Sequence, residues 1–134
     1  MEYQKLTHKI IGCAMNVHSK LGPGFPEVVY QRSMAIELEK QALKFIREMN
    51  VEIFYDEIKV GYGRVDFFVE DSVMLELKAL INLDDAHIAQ TMNYCKTFKL
   101  PSGILINFGK RSLEFKRVYN LNHEDNQGFI SKVV

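Results

Sequence analysis

Apolar residues recur every three or four positions in three stretches of the chain, and this spacing predicts three helices. The first helix covers about 4–20 and ends before the Gly-Pro-Gly sequence at 22–24. The second begins at Pro26 and runs to about position 41, because proline is tolerated in the first turn of a helix. The third covers about 85–98, and polar residues at 82–85 supply candidate caps at its start.

Alternating or continuous apolar residues predict strands in the rest of the chain. The predicted strands cover 44–60 (one long strand or two short ones), 64–69, 73–79, 104–108 and 113–119. Gly61 to Gly63 are expected to form a break. The order α-α-β-β-β-α-β-β indicates an α/β fold, a mixed β-sheet flanked by helices in a single domain spanning 1–134. The polar tail from about 121 is expected to be loose.

The hairpin predicted at 64–79 places charged side chains on one face, because side chains alternate along a strand. These charged residues are Arg64, Asp66, Glu76 and Lys78. The apolar residues Val65, Phe67 and Val69 are expected to share the other face with Val73, Leu75 and Leu77. A three-residue turn at 70–72 sets Asp66 opposite Glu76, whereas a two-residue turn moves Glu76 to the wrong face.

Two directly opposed carboxylates destabilise a hairpin, and a divalent cation between them removes the repulsion. Mg²⁺ and Mn²⁺ prefer such oxygen ligands. Lys78 lies on the same face as Asp66 and Glu76. Its ammonium group can orient a water, lower the pKa of that water or stabilise a phosphate. A solvated lattice of ion pairs is the alternative interpretation of this face.

Asp66, nine intervening residues and the Glu76-Leu77-Lys78 segment together resemble the PD-(D/E)XK nuclease superfamily. Valine stands at 65, where the superfamily motif has proline. A second motif, G-x-x-E-x-x-Y at 24–30, is similar to that of the GxxExxY protein family within this superfamily. Gln90 and Tyr94 match a Q-x-x-x-Y element of RecB-like nucleases. The resemblance covers about 6–119 and implies a restriction-endonuclease-like core.

The resemblance also implies roles for particular residues. Asp66 and Glu76 would bind Mg²⁺ or Mn²⁺, Glu27 would complete the metal shell, and Lys78 would be the catalytic lysine. Gln90 would join the catalytic set. The candidates for positioning substrate are Tyr94, Tyr30 and Arg64. From the residues alone, Glu27 equally suits the first turn of a helix, and packing equally explains the two tyrosines and Gln90.

The chain carries 17 basic and 17 acidic residues, so its formal net charge is zero. This balance argues against nucleic-acid binding by bulk charge alone. The charges are unevenly distributed, since residues 48–85 hold ten acids and three bases, whereas residues 86–120 hold six bases and one acid. An acidic centre beside a basic flank is typical of a phosphodiesterase, in which a cation neutralises charge and bases hold the backbone.

These observations predict a metal-dependent nuclease that binds DNA or RNA weakly and in a salt-sensitive manner. The alternative is a non-catalytic module that retains the nuclease fold and binds nucleic acid or protein. Dimerisation would help so small a nuclease to grip a duplex, and we therefore allow for a homodimer. The sequence has no apolar run near the roughly 20 residues of a membrane span, and no leader pattern. Cys13 and Cys95 are expected to be reduced core thiols of a cytoplasmic protein.

Overall fold

The computed structural model of the chain describes residues 3–120 and His123. Within these residues the elements follow the predicted order. They are α1 (Tyr3–Leu21), α2 (Glu27–Lys40), β1 (Phe45–Tyr55), β2 (Ile58–Val69), β3 (Val73–Lys78), α3 (Asp85–Thr97), β4 (Ser102–Asn107) and β5 (Glu114–Tyr119). The predicted α/β fold is confirmed. The tail predicted from 121 lies outside the described residues, apart from His123.

The strands form one five-stranded sheet in the order β1-β2-β3-β4-β5. Neighbouring strands are antiparallel except β3 and β4, which are parallel. A parallel pair needs a long crossover connection, and α3 supplies it here. Every residue of β4 is buried, and the apolar residues at its centre are typical of a strand covered on both faces.

Helices α1 and α2 pack on one face of the sheet and enclose the main core, whereas α3 covers part of the other face. Side chains from α1, α2 and β2–β4 form the main core around Tyr30, Met34, Phe67 and Ile104. Cys13 and Cys95 are buried free thiols, one in each cluster. None of the helices in the described part of the chain is long and apolar enough to cross a bilayer.

The predicted break at Gly61 to Gly63 is wrong, because β2 continues through these residues. Gly63 pairs with Val51 of β1, and a Cβ atom at Gly63 would overlap the ring of Tyr94. Glycine at 63 therefore permits close approach of a side chain rather than a turn. The chain turns instead at Asp56 and Glu57, which have positive φ angles of 50° and 66° and connect β1 to β2.

The expected grouping of Val65 with Phe67 and Val69 is also wrong. Phe67 and Val69 lie in the main core, whereas Val65 packs on the α3 side. The pairing of β1 with β2 passes from Met49↔Val65 to Arg47↔Phe67, and the intervening Glu48 has a positive φ of 51°. This irregularity interrupts simple alternation at Asp66.

The segment that follows β3 is fixed to the end of β4. The Asn107 side chain donates a hydrogen bond to the Leu80 carbonyl (2.9 Å) and accepts hydrogen bonds from Leu80 N (2.8 Å) and Gly109 N (3.1 Å). A Cβ atom at Gly109 would overlap the Leu80 main chain. The chain is therefore anchored two residues after Lys78, the proposed catalytic lysine.

We expect Gly109→Ala to lower the free energy of unfolding by about 1–3 kcal/mol, because the main chain of Leu80 must shift. Gly12→Ala in α1 is the control, since a Cβ there meets no atom within 4 Å. That change should stabilise the helix by about 0.5–1 kcal/mol. Urea unfolding measures both effects, and equal stability of Gly109→Ala and wild type would contradict the close contact.

Candidate active site

The hairpin of β2 and β3 has the predicted three-residue turn, with pairs Val69↔Val73, Phe68↔Met74 and Phe67↔Leu75. Beyond Phe67 two carboxylates join the strands. Asp66 N donates to Glu76 Oε1 (3.1 Å), and Leu77 N donates to Asp66 Oδ2 (2.8 Å). Asp66 and Glu76 are therefore brought together, and each accepts a main-chain hydrogen bond from the other strand.

Burial raises the pKa of both carboxyl groups. Glu76 is 4% exposed, and its pKa is raised to about 8, mainly by desolvation. The Asp66 carboxylate contributes to this increase, whereas the Asp66 N–H and the Lys78 ammonium oppose it. Burial also raises the pKa of Asp66, against hydrogen bonds from Leu77 N and Gln31. Two carboxylates buried side by side carry negative charge that their hydrogen bonds compensate only in part.

Glu27 and Lys78 belong to the same electrostatic cluster. Desolvation raises the pKa of Glu27 and Asp66 adds to the increase, whereas Lys78 and His87 lower it. The charge of Lys78 also acts on Asp66 and Glu76. A cleft of about 220 Å³, bordered by Glu27 and Asp66, opens between α2 and the sheet. Glu27 and Asp66 thus line this cleft, Glu76 accepts a hydrogen bond from the main chain of Asp66, and the charge of Lys78 acts on all three carboxyl groups.

The charged pair fits a hard cation. Each carboxylate oxygen that accepts a hydrogen bond here has a second lone pair for a metal. No group of three or more His, Cys, Asp or Glu side chains within residues 3–120 and His123 is arranged to hold a metal. Mg²⁺ needs no such cage, because one or two carboxylates bind it together with waters and substrate phosphates. Asp66 and Glu76 are sufficient for such a site.

Sequence reasoning missed Gln31, which orients the site from α2. Its Nε2 donates to Asp66 Oδ1 (2.8 Å), and its Oε1 accepts from Arg47 Nη2 (3.0 Å). Gln31 is buried, and it follows Glu27 by four residues on the same helix face. That spacing was the available signal in the sequence.

Gln90 and Tyr94 lie together on α3, as their spacing predicts. Burial and the Glu76 charge raise the pKa of Tyr94, whereas a hydrogen bond with Gln90 lowers it. The two residues line a groove of about 620 Å³, which we call the α3 groove, between α3 and Ile53 of β1. The groove therefore lies on the Glu76 side of the sheet.

Tyr30 and Arg64 have partners other than Asp66 and Glu76. Tyr30 is fully buried, donates a hydrogen bond to the Gly22 carbonyl (2.6 Å) and stacks on Phe108 with ring centroids 4.7 Å apart. It holds the turn before α2, in agreement with the packing alternative. Arg64 is exposed, and its Nη1 lies 3.5 Å from Glu48 Oε2.

A family model of the PD-(D/E)XK nuclease superfamily matches residues 4–118, and the chain belongs to this superfamily. Its members are generally nucleases and typically use divalent metal ions. The chain is similar in fold to the crystal structure of SSO0001, with a TM-score of 0.55 and 18% identity. The similarity covers 78% of this chain and 55% of that chain, so this chain spans about half its length. No curated protein matches the sequence. The mixed sheet flanked by helices is a restriction-endonuclease-like fold.

We predict that the protein without metal loses stability as the pH rises. An ordinary glutamate ionises near pH 4.5, but Glu76 in the folded protein keeps its proton up to about pH 8. The folded state therefore binds more protons over this window, and the free energy of unfolding falls as the pH increases. Each unit of pKa difference corresponds to about 1.4 kcal/mol.

Urea unfolding in EDTA across this pH window measures the effect. Glu76→Gln should remove most of the slope, whereas Glu39→Gln, at an exposed position on α2, should retain it. A wild-type slope unchanged by Glu76→Gln would show that the Glu76 pKa is ordinary.

Proposed function

We propose that the protein is a metal-dependent nuclease that hydrolyses phosphodiester bonds of DNA or RNA. We further propose that it is a GxxExxY-type, RecB-like member of its superfamily, with one nuclease-like domain over 1–134. The observation that carries the proposal is the buried Asp66–Glu76 pair, joined by reciprocal main-chain hydrogen bonds beside Lys78. Two buried acids side by side are unfavourable in a sheet, and a bound cation would compensate the negative charge that their hydrogen bonds leave.

A bound Mg²⁺ or Mn²⁺ would supply an activated water and neutralise charge on the phosphate. Asp66 and Glu76 would hold the ion, and Glu27 at the mouth of the cleft would complete its shell. Gln31 fixes the orientation of the Asp66 carboxylate through one oxygen, and Leu77 N fixes it through the other. Lys78 would hold the attacking water or stabilise negative charge that develops on the phosphate.

The substrate would approach along α3. Gln90 and Tyr94 border the α3 groove, where an amide and a phenol can contact a nucleotide and orient it towards Lys78. Lys96 lines the same groove and offers a charge to a backbone phosphate. So few bases would give weak binding that decreases with salt.

We expect Lys78→Ala and Glu76→Gln each to lower metal-dependent cleavage of DNA or RNA by about 10²-fold or more, because the first removes a positive charge beside the reacting phosphate and the second removes a metal ligand. Lys9→Ala, on the exposed side of α1, is the matched control and should cleave like wild type. Circular dichroism should show that all variants are folded. Failure of the wild type to cleave either nucleic acid with Mg²⁺ or Mn²⁺ would overturn the proposal.

Metal affinity should depend on the residue that orients Asp66. We expect Asp66→Asn to abolish Mn²⁺ binding and Gln31→Ala to weaken it by about 10–100-fold, the usual effect of losing a ligand's supporting hydrogen bond. Gln41→Ala, at the exposed end of α2, should bind like wild type. Isothermal titration calorimetry measures all three variants. Equal Mn²⁺ affinity of Asp66→Asn and wild type would show that the metal binds elsewhere.

The second candidate is a non-catalytic module that retains the nuclease fold and binds nucleic acid or protein. The raised pKa of Glu76 favours it, since a carboxyl that keeps its proton near neutral pH is a poor metal ligand. Such a module would bind a nucleic acid or a protein but show no metal binding by calorimetry. The same titration therefore separates the two candidates.

A further inference from the structure

The outer part of the β1–β2 hairpin projects from the sheet as a two-stranded arm, which we define as residues 52–62. The ladder between β2 and β3 covers Phe67 to Val69, so the arm is paired within itself alone over the described residues. Six large apolar side chains of the arm are between 39% and 74% exposed. They are Ile53, Phe54, Tyr55, Ile58, Val60 and Tyr62. An isolated two-stranded ribbon is marginal in water, and a cluster of exposed apolar side chains marks an interaction surface.

The arm borders the α3 groove, which is large enough to receive apolar side chains. Ile53 forms one wall, and the small side chains of Ala86 and Ala89 form part of the other. Beyond a register shift between Ile53 and Phe54, Tyr55 pairs with Ile58, and both of these side chains are exposed. The groove and the apolar face of the arm thus form one continuous surface.

Charges at the two ends of this surface are complementary. Asp56 and Glu57 occupy the tip of the arm. Lys96 lines the groove in the last turn of α3, and Lys99 follows the end of that helix by two residues. None of these four residues forms an ion pair with another described residue. Elsewhere along the hairpin the charges are compensated, by Lys59 with Glu52 (3.5 Å) and Arg64 with Glu48 (3.5 Å).

We propose that the arm docks in the α3 groove of a second copy of the chain and forms a two-fold symmetric dimer. Its apolar face would cover the groove, and Asp56 and Glu57 would contact the partner's Lys96 and the partner's Lys99. An acidic tip is repelled by nucleic acid and by anionic membranes, which leaves a protein partner. The chain itself carries both complementary halves, as an isologous interface requires. The docked arm would occupy the groove that the proposed function assigns to the substrate, so the dimer and bound nucleic acid would exclude each other. The dimer itself is measured without substrate, and its absence would leave the proposed nuclease activity untouched.

The apolar contact is tested by sedimentation velocity over a range of protein concentrations. We expect the wild type to dimerise and Ile58→Glu to weaken the dimer by at least tenfold. Ile36→Glu on α2 changes an isoleucine of similar exposure outside the arm and should dimerise like wild type. A wild type that is monomeric at every concentration overturns the proposal, as does an Ile58→Glu variant that dimerises normally.

A charge exchange tests the docking partner. One variant carries Asp56→Asn and Glu57→Lys, and asparagine tolerates the positive φ at 56. The other carries Lys96→Glu and Lys99→Glu. Each variant alone sets like charges against each other and should dimerise at least tenfold more weakly than wild type. An equimolar mixture should recover the wild-type affinity as a heterodimer, with circular dichroism confirming both folds. A mixture no tighter than either variant alone would overturn the assigned contact.

Discussion

The reciprocal hydrogen bonds between Asp66 and the end of β3 are the constraint on which the site depends. They replace the strand ladder where it stops, so the two strands are connected there by carboxylates. Burial of an acid is unfavourable unless it is paired or hydrogen-bonded. Glu76 accepts one main-chain N–H here, and Asp66 accepts one main-chain N–H and the Gln31 amide, which compensates only part of the desolvation. The uncompensated part is visible as the raised pKa of Glu76. The same hydrogen bonds therefore fix the positions of the two acids but leave negative charge that a bound cation can neutralise.

Three segments distant in sequence support this pair. Helix α2 provides Gln31 against Asp66, and β1 provides Arg47 behind Gln31. At the other end, Asn107 of β4 holds Leu80, which follows Lys78 by two residues. Side chains held by such second contacts keep one rotamer, and a precise arrangement is what a charge-stabilising site requires. The helices and the central strand thus serve the site as well as the core.

Local rules were sufficient to predict much of this arrangement. Turn length and strand alternation set the hairpin register, so the meeting of Asp66 with Glu76 followed from the residues around them. The role of Gly63 could not be predicted in this way, because it depends on the ring of Tyr94 on a distant helix. The face of Val65 depends on the backbone of Glu48 in the neighbouring strand. Gln31 was missed because the role of a glutamine amide depends on its hydrogen-bond partner, here Asp66, which the sequence does not identify.

In the arm, the sequence pattern predicts the strands correctly but does not predict that their apolar side chains are exposed. Ile53, Ile58 and Val60 contribute to the apolar pattern that predicts strands, and such patterns normally reflect burial on at least one face. The strands form as predicted, yet these side chains remain exposed in one copy of the chain. Charged residues usually blunt an exposed edge, but here the uncompensated charges lie at the tip and leave the face towards α3 apolar. A surface that is patterned for burial and lies beside an apolar groove is explained by a partner that covers both.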